Sequence, residues 1–578
     1  MSPFKLRSAA WFDGDDEVAV LHRVAAGISA DDRGRAVIGI ADTSSALNPC
    51  QAGFAAIIPE LERGIRDGGA VPLRFPVMSL GEDLMKPSAM LYRNLVAMEL
   101  EEQVRAHPLD GVVYLANCDK TVPAALLAAA SARLPALLLL GGSRSAPLFA
   151  GRRLGSGTDL WRALEDRRAG MLNDGEWQQL EQTLACAGGG SCNTMGTAST
   201  MALVTEALAM ALPGSTGCQL GSPELAEIAY RTGRIIADAA STGGAGAGAD
   251  EVMTAAAVNN ALRLVAAVGG STNAVIHLAA VSGRLGRNLD LAEVDRLWAE
   301  VPLLADVEPC GSQLAHDFHD AGGLATLAAE MLPAGLLDGA VRLASGQTMA
   351  ELAKTAVTDQ AVIRPVADPV LPAPTLVVVS GSLAPDGAVL KTAAASSHLW
   401  QHTGRAVVFD DYADMRTRLD DPELPVTAED VLVVRNCGPV GVPGMPEWGM
   451  APIPAALAAA GVRDMVRVSD GRMSGTSFGT VVLHVAPEAA VGGPLAVIAD
   501  GDLICLDVAA RRLDLLVETT ELELRLASWQ PQTNEHLRGW PKLYRDHVSQ
   551  APQGCDLDFL TSPTEESRRF VPPVVGRS

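Results

Sequence analysis

The sequence is poor in lysine and has a large deficit of positive charge. Its formal net charge is −23, and six of its 45 basic residues are lysines, so arginine carries nearly all of the positive charge. The basic residues form no cluster larger than short arginine pairs. This pattern argues against nucleic acid and anionic membranes as partners. An anionic substrate would have to be held by local devices such as a metal ion or helix N-termini.

Export and membrane segments are also missing. Met1 is not followed by a charged and then apolar stretch, and no apolar run approaches the length of about 20 residues that spans a bilayer. We therefore expect a soluble cytoplasmic protein. The nine cysteines are odd in number, scattered and without CxxC pairs. A disulfide framework is not expected in that compartment.

The chain of 578 residues is too long for a single hydrophobic core. In its first two thirds, short apolar runs alternate with helical patterns, which is typical of a mostly parallel sheet covered by helices. A proline-rich stretch, 365–374, then marks a change in composition. We predict an α/β fold, with a parallel α/β domain over residues 1–370 and a β-barrel-like domain over residues 371–578.

The prediction of the second domain rests on closely spaced strand-like runs with Gly, Pro and Asp turns between them. They include 431–434, 481–485 and 495–498, and one clear helix is predicted, at 453–460. Two loops of this domain have a high density of polar residues, 437–448 and 469–476.

Four consecutive residues, Asn117-Cys118-Asp119-Lys120, place a thiol, a carboxylate and an amine next to one another. They follow the apolar run 111–115, which predicts a buried strand, and precede an alanine-rich helix predicted over 123–132. Side chains between a strand and a helix lie at the carboxyl edge of a parallel sheet, where such folds bind ligands. A lysine beside Cys-Asp suggests chemistry that a guanidinium cannot perform. The alternative is a structural cysteine beside a surface ion pair.

Two further cysteines occupy comparable loops. Cys50 follows a strand predicted over 36–40, and Cys192 follows a glycine triplet just before a helix predicted over 201–212. The helix dipole should lower the pKa of the Cys192 thiol, although a buried packing cysteine is the alternative. Three thiolates gathered from these loops and from Cys118 can hold an iron–sulfur cluster or zinc, with one coordination position open for a substrate oxygen.

Oxygen ligands of the kind that Mg²⁺ prefers are offered by Glu82, Asp119 and Glu447. Ser474 has glycine as its next neighbour, so a substrate can approach the backbone there, although a turn serine without function is the more frequent case. From the residues alone, the sequence indicates a metal-assisted site.

These loops resemble the dihydroxy-acid and sugar-acid dehydratase family (IlvD/Edd), and the resemblance covers nearly the whole chain. The matching segments are 47–50, 118–120, 190–200, 381–387, 443–447, 469–476 and 484–488. The resemblance implies a [2Fe–2S] cluster on Cys50, Cys118 and Cys192. It implies Mg²⁺ held by Glu82, Asp119, Glu447 and a carbamylated Lys120. It also implies that Ser474 is the catalytic base and that Thr476 lies beside it.

The implied reaction removes water from a 2,3-dihydroxy carboxylate to give a 2-keto-3-deoxy acid. The proton next to a carboxylate is weakly acidic, so Mg²⁺ would stabilise the charge of the developing enolate. Ser474 would abstract the C2 proton, and the open iron would take the leaving C3 hydroxyl.

Within the family, three segments look like the pentonate (arabinonate/xylonate-type) dehydratases: 84–94, 154–159 and 538–547. Ser44, Ala46 and Gln51 depart from that branch next to the cluster, which leaves the sugar acid open. The resemblance further implies a homodimer or homotetramer acting on a small sugar acid. One alternative is the dihydroxy-acid dehydratase of branched-chain amino-acid biosynthesis, which needs an apolar pocket. Another is an iron–sulfur sensor, which has no need of the oxygen ligands.

Overall fold

The structure is a computed structural model, and it describes residues 5–14, 16–185, 188–242, 248–357, 361–531 and 537–561. Cys186, one of the nine cysteines, lies outside these ranges. None of the described helices combines the length and the apolar character needed to cross a bilayer.

Four parallel strands form the N-terminal sheet, in the order β2-β1-β3-β4. They are β1 (Val37–Asp42), β2 (Val71–Pro76), β3 (Gly111–Leu115) and β4 (Ala136–Leu139). A small antiparallel hairpin follows, made of β5 (Leu148–Phe149) and β6 (Arg152–Arg153). Every residue of β1, β3 and β4 is buried, as expected for a parallel sheet between two helix layers. The strands predicted over 36–40 and 111–115 are confirmed.

Sixteen helices are described in this part of the chain. They are α1 (Ala10–Asp13), α2 (Glu17–His22), α3 (Phe54–Asp67), α4 (Met90–Ala106), α5 (Thr121–Ala132), α6 (Thr158–Arg168), α7 (Asp174–Ala185), α8 (Thr197–Ala207), α9 (Pro223–Ser241), α10 (Ala249–Val252), α11 (Ala255–Ala267), α12 (Asn273–Arg284), α13 (Leu291–Trp298), α14 (Ala315–Asp320), α15 (Gly323–Met331) and α16 (Met349–Leu352).

The side chains of β3 alternate between two hydrophobic cores because successive strand residues point to opposite faces. Val113 and Leu115 pack with α3 and α9 in one core, whereas Val112 and Tyr114 pack with α4, α5, α8, α11 and α12 in the other. Helix α5 is buried on all sides and has its proline, Pro123, in the first turn. A first-turn proline is tolerated because the N–H groups there have no partner within the helix. The β3–α5 loop is therefore fixed between two cores.

Eight strands form the C-terminal sheet, in the order β16-β15-β9-β10-β12-β14-β8-β7. They are β7 (Val377–Val379), β8 (Gly387–Leu390), β9 (Gln401–Phe409), β10 (Val431–Val434), β12 (Arg467–Ser469), β14 (Val481–Ala486), β15 (Leu503–Asp507) and β16 (Arg512–Leu515). Ser380, which follows β7, bridges Arg512 in β16, so the two edge strands nearly meet. The predicted barrel-like domain is confirmed.

A separate parallel pair, β11 (Glu447–Trp448) and β13 (Arg472–Met473), joins the two polar loops of this part. Four helices accompany the barrel: α17 (Tyr412–Arg418), α18 (Ala455–Ala459), α19 (Thr519–Ser528) and α20 (Trp540–His547). α18 confirms the helix predicted over 453–460, but the other three were not predicted. The strand predicted over 495–498 is wrong. Pro494 begins a 3₁₀ turn that covers most of it, Pro494–Val497, since the fixed φ of proline suits a helical first turn.

Candidate active site

A cavity of about 430 Å³ lies where the carboxyl edge of the N-terminal sheet meets the loops of the barrel. Eight of the nine predicted site residues line it: Cys50, Glu82, Cys118, Asp119, Cys192, Glu447, Ser474 and Thr476. The ninth, Lys120, is 2% exposed and forms ion pairs with Asp119 and Glu447. The structure therefore brings all nine together from six separate segments of the chain.

Asn117 fixes the first two cysteine loops relative to each other. Its Nδ2 donates to the carbonyl oxygens of Cys50, at 2.9 Å, and Gly142, at 2.8 Å, and its Oδ1 accepts from the Gly141 N–H, at 3.0 Å. Because Asn117 lies two residues after the end of β3 and is itself buried, these bonds hold the Cys50 loop against the Cys118 loop. The sequence placed Asn117 in the central tetrapeptide but did not predict this role.

Arg144 is the cation next to the thiols. Its Nη2 lies 3.8 Å from Cys50 Sγ and 3.2 Å from Asp83 Oδ2, and it donates to the Gly190 carbonyl at 3.1 Å. The prediction of a lowered thiol pKa at Cys192 is wrong. Burial raises the pKa of Cys192 to about 12, and the opposing effect of Arg144 is smaller.

Helix α8, predicted over 201–212, is found at Thr197–Ala207. It begins closer to Cys192 than predicted, but Cys192 still lies outside its first turn, within which the dipole effect falls off, so the dipole does not offset burial. The pKa of Cys118 is also raised well above its usual value, by its hydrogen bond with Cys50 and by burial. All three thiols are free of disulfides. Thiolates at this site therefore require a bound cation in addition to Arg144.

Three carboxylates converge next to the thiols. Oxygens of Glu82, Asp119 and Glu447 lie within 4.8 Å of one another. Burial raises the pKa of Glu82 to about 7, against the opposing effect of Lys120. Two cations, Lys120 and Arg472, lie beside Glu447, each at 3.4 Å from one of its oxygens. When all three carboxylates are ionised, they exceed these two cations by one negative charge in a buried place, which fits a bound cation.

Lys120 is protonated in this arrangement. Burial alone would lower the pKa of Lys120, but the carboxylates of Asp119 and Glu447 outweigh burial and raise it. A carbamate forms only on the neutral amine. Carbamate formation therefore requires Lys120 to lose its proton, and another cation must then take its place beside the carboxylates of Asp119 and Glu447.

The hydroxyl of Ser474 is surrounded by hydrogen-bond donors. Its Oγ lies 2.8 Å from Thr476 Oγ1, which in turn lies 2.8 Å from Trp161 Nε1. An indole N–H only donates, so Thr476 Oγ1 accepts from Trp161, and the threonine proton is free to be donated to Ser474 Oγ when that oxygen is deprotonated. The Thr476 backbone N–H also donates to Ser474 Oγ, at 3.3 Å. Two donors aimed at one oxygen favour its deprotonated form.

Trp161 is a site residue that the sequence reasoning missed. It lies in the first turn of α6, two residues after the segment 154–159 that resembles the pentonate dehydratases, and that proximity is the one signal that pointed to it. Gly475 explains how the serine loop reaches this place. A Cβ at Gly475 would lie 2.6 Å from Ser271 Cβ and 2.8 Å from the Thr197 nitrogen, so only glycine permits this approach.

A second group of possible ligands, Cys218, Glu224 and His319, lies outside the cavity. His319 Nε2 and Glu224 Oε2 form a pair at 3.0 Å. Glu224 lies in the first turn of α9, where the helix dipole disfavours a cation. The hydrogen bond between His319 and Glu224 accounts for the position of these two side chains, and we assign the group no metal.

The cavity gathers three thiols, three carboxylates and a serine at the junction of an α/β part and a barrel, a set of groups suited to metal-assisted chemistry on a small molecule. Models of the dihydroxy-acid/6-phosphogluconate dehydratase family match the chain in two parts, the N-terminal model over residues 35–352 and the C-terminal model over residues 361–555. The chain belongs to this family of dehydratases, which confirms the resemblance found in the sequence.

Several relatives are similar over almost the whole length of the chain. An L-arabinonate dehydratase of Rhizobium leguminosarum bv. trifolii is 43% identical over 563 residues, 96% of each chain. A 6-deoxy-6-sulfo-D-gluconate dehydratase of Pseudomonas putida is 41% identical over 570 residues, also 96% of each. A dihydroxy-acid dehydratase of Saccharolobus islandicus is 34% identical over 565 residues, 96% of this chain and 99% of the relative.

Proposed function

We propose that this protein is a hydro-lyase that removes water from a sugar acid (an aldonate) to give a 2-keto-3-deoxy acid, with a [2Fe–2S] cluster and Mg²⁺ as cofactors. The observation that carries the proposal is the placement of Ser474, with two donors on its Oγ, in one cavity with three thiols and three carboxylates. The L-arabinonate dehydratase and the 6-deoxy-6-sulfo-D-gluconate dehydratase are 43% and 41% identical to this chain, and the dihydroxy-acid dehydratase is 34% identical.

The donor set fits both cofactors. Cys50, Cys118 and Cys192 would hold the cluster, since three thiolates beside Arg144 suit a soft metal centre and leave one position open. Glu82, Asp119, Glu447 and carbamylated Lys120 would hold Mg²⁺ through hard oxygen atoms. When bound, these groups would supply Lewis acidity toward the C3 hydroxyl and the carboxylate of the substrate.

Ser474 is then the group that moves the proton. Its alkoxide takes the C2 proton, and the electron pair left behind forms the C2=C3 bond while the C3–O bond breaks. The leaving hydroxyl departs as water with the proton from Ser474. The resulting enol takes a solvent proton at C3 and releases its C2 hydroxyl proton to solvent, which gives the 2-keto group. The Thr476 hydroxyl and backbone N–H stabilise the alkoxide by donating to it before and after the transfer.

The cavity lining offers polar groups to a hydroxylated substrate beside apolar side chains. Lys86, Arg144 and Ser145 are among its polar residues, and Leu154, Leu160 and Trp161 are among its apolar ones. Substrate hydroxyls can pair with the polar groups. The choice of an aldonate over the branched-chain dihydroxy acid therefore rests on the similarity to sugar-acid dehydratases.

The proposal is tested by assaying the anaerobically reconstituted protein with Mg²⁺ against a panel of pentonates, hexonates and 2,3-dihydroxyisovalerate, with 2-keto acid formation as the readout. We expect turnover of one or more aldonates and little with dihydroxyisovalerate. A preference for dihydroxyisovalerate would establish the branched-chain alternative. A protein that is loaded with cluster and Mg²⁺ but turns over no acid in the panel would contradict the proposed function.

Trp161→Phe tests the donor chain to the serine. Phenylalanine keeps the ring but removes the N–H that fixes Thr476 Oγ1, so the threonine hydroxyl is no longer committed to Ser474. We expect kcat to fall by roughly 10-fold, the scale of one well-placed hydrogen bond, with KM changed less. Trp400→Phe is the matched control, because the Trp400 indole N–H has no hydrogen-bond partner among the described residues. Equal activity of the two variants would remove Trp161 from the mechanism.

Lys120→Arg tests the carbamate. Arginine retains the positive charge but cannot become a carboxylate-like ligand. Mg²⁺ affinity, measured by calorimetric titration, and turnover should both collapse, whereas Lys354→Arg at an exposed position should leave both unchanged. Near-normal activity of the Lys120→Arg enzyme would exclude the carbamate.

A further inference from the structure

Lys391 is the second buried lysine of the chain, besides Lys120. It follows β8, just after the segment 381–387 that matches the family, and it has no part in the mechanism so far. It is 8% exposed, and its Nζ donates to the carbonyl oxygen of Gly475 at 3.2 Å. Within the described ranges, no carboxylate lies within ion-pair distance of it.

Such a lysine is costly to keep. A buried ammonium whose fixed partner is one neutral carbonyl loses more hydration than it regains, and burial accordingly lowers the pKa of Lys391. Methionine has nearly the same length and would fill the space without that cost. Its hydrogen-bond partner, the Gly475 carbonyl, belongs to the serine loop, so the charge of Lys391 can act on that loop.

The Gly475 carbonyl and the Thr476 N–H belong to the same peptide group. The carbonyl accepts from Lys391, and the N–H donates to Ser474 Oγ at 3.3 Å. A cation on the oxygen side of a peptide group polarises it and makes its N–H a stronger donor. Lys391 and Ser474 also line one small cavity of about 20 Å³, so little protein separates the charge from the serine oxygen.

We propose that Lys391 is a positioning residue for the dehydration, which acts through the Gly475–Thr476 peptide group to stabilise the Ser474 alkoxide. This inference rests on the proposed function, in which Ser474 is the base. The positive charge of Lys391 would thus stabilise the Ser474 alkoxide in addition to the hydroxyl and the backbone N–H of Thr476. No metal ligand takes part in it.

The test compares Lys391→Met, which removes both charge and hydrogen bond, with Lys391→Gln, which keeps an N–H donor but no charge. Lys354→Met, at an exposed site, controls for loss of a lysine elsewhere. With the aldonate that the wild-type protein turns over, we expect kcat of Lys391→Met to fall by roughly 10- to 10²-fold, with KM within about twofold of wild type. Lys391→Gln should lie between Lys391→Met and wild type, and exchange of the C2 hydrogen should fall in proportion to kcat.

Two results would overturn the inference. One is a kcat of Lys391→Met within about twofold of wild type. The other is loss of activity that comes with loss of cluster absorption in both variants, because Lys391 would then merely support the fold. If Lys391→Met alone fails to fold, Lys391→Gln decides by the same criteria.

Hydrogen exchange provides a readout that needs no substrate. Amides of the peptide 473–480, followed by mass spectrometry, should exchange faster in Lys391→Met than in wild type, since the loop loses its anchor. If wild type turns over no aldonate, the proposed function fails and the role of Lys391 in dehydration is overturned with it. If wild type is active, unchanged exchange in Lys391→Met overturns the inference independently, because the serine loop then does not depend on Lys391.

Discussion

Ser474→Ala is expected to give a folded protein that keeps its iron–sulfur absorption and binds Mg²⁺ but turns over its sugar acid at least about 10²-fold more slowly. The change removes the oxygen on which Thr476 converges and alters no charge elsewhere. Packing should persist, because Ser474 is only partly buried and the loop is also held by the hydrogen bond from the Ser474 N–H to the Trp448 carbonyl, at 2.7 Å.

Solvent exchange of the C2 hydrogen separates the two possible roles of Ser474. If Ser474 is the base, exchange should vanish together with turnover. A variant that exchanges this hydrogen at the wild-type rate while failing to eliminate water would show that another residue is the base and that Ser474 only binds substrate. Ser382→Ala, in a turn of the barrel that contacts β16, is the matched control and should behave as wild type.

The cysteine variants should have the other large effect. Cys50→Ser, Cys118→Ser and Cys192→Ser should each abolish the visible iron–sulfur absorption and, with it, turnover, since each removes one of three ligands and leaves two. The absorption spectrum of the anaerobically reconstituted proteins, together with their iron content, is the measurement.

Cys437→Ser is the control for the cysteine series. Its Sγ donates to the Arg435 carbonyl at 3.4 Å and packs in a hydrophobic cluster beside Phe409 and Met473, so its loss should leave the spectrum intact. We expect the same of Cys186→Ser. A normal spectrum for Cys192→Ser would show that the ligand assignment is wrong.

Local patterns were sufficient to predict the parts of the fold that bear the thiols. β3 and α5 follow from a bounded apolar run and an alanine-rich segment with a first-turn proline, and both were found within two residues. The 495–498 run shows where such patterns fail. Its apolar composition fits a strand or a short buried helical turn equally well, and the preceding proline, outside the run, decides in favour of the turn.

Some of the site residues could be predicted from the sequence and others could not. Those carried by family-specific motifs, such as Cys192 and Ser474, were predicted, and they meet in the cavity. Trp161 and Lys391 could not be predicted, because they contact the serine loop across 315 and 84 residues of sequence. The thiol pKa of Cys192 was predicted with the wrong sign because a sequence shows a nearby helix start but not the depth of burial, and burial dominates here.

The most direct test of the account is the fate of hydrogen during dehydration in D₂O. The anaerobically reconstituted protein with Mg²⁺ is given the aldonate that it turns over, and the product is followed by ¹H NMR. If Ser474 removes the C2 proton and an enol is released to tautomerise, the product is a 2-keto-3-deoxy acid with one solvent deuterium at C3. A product without deuterium at C3, which would mean direct transfer of hydrogen from C2 to C3, would contradict the account.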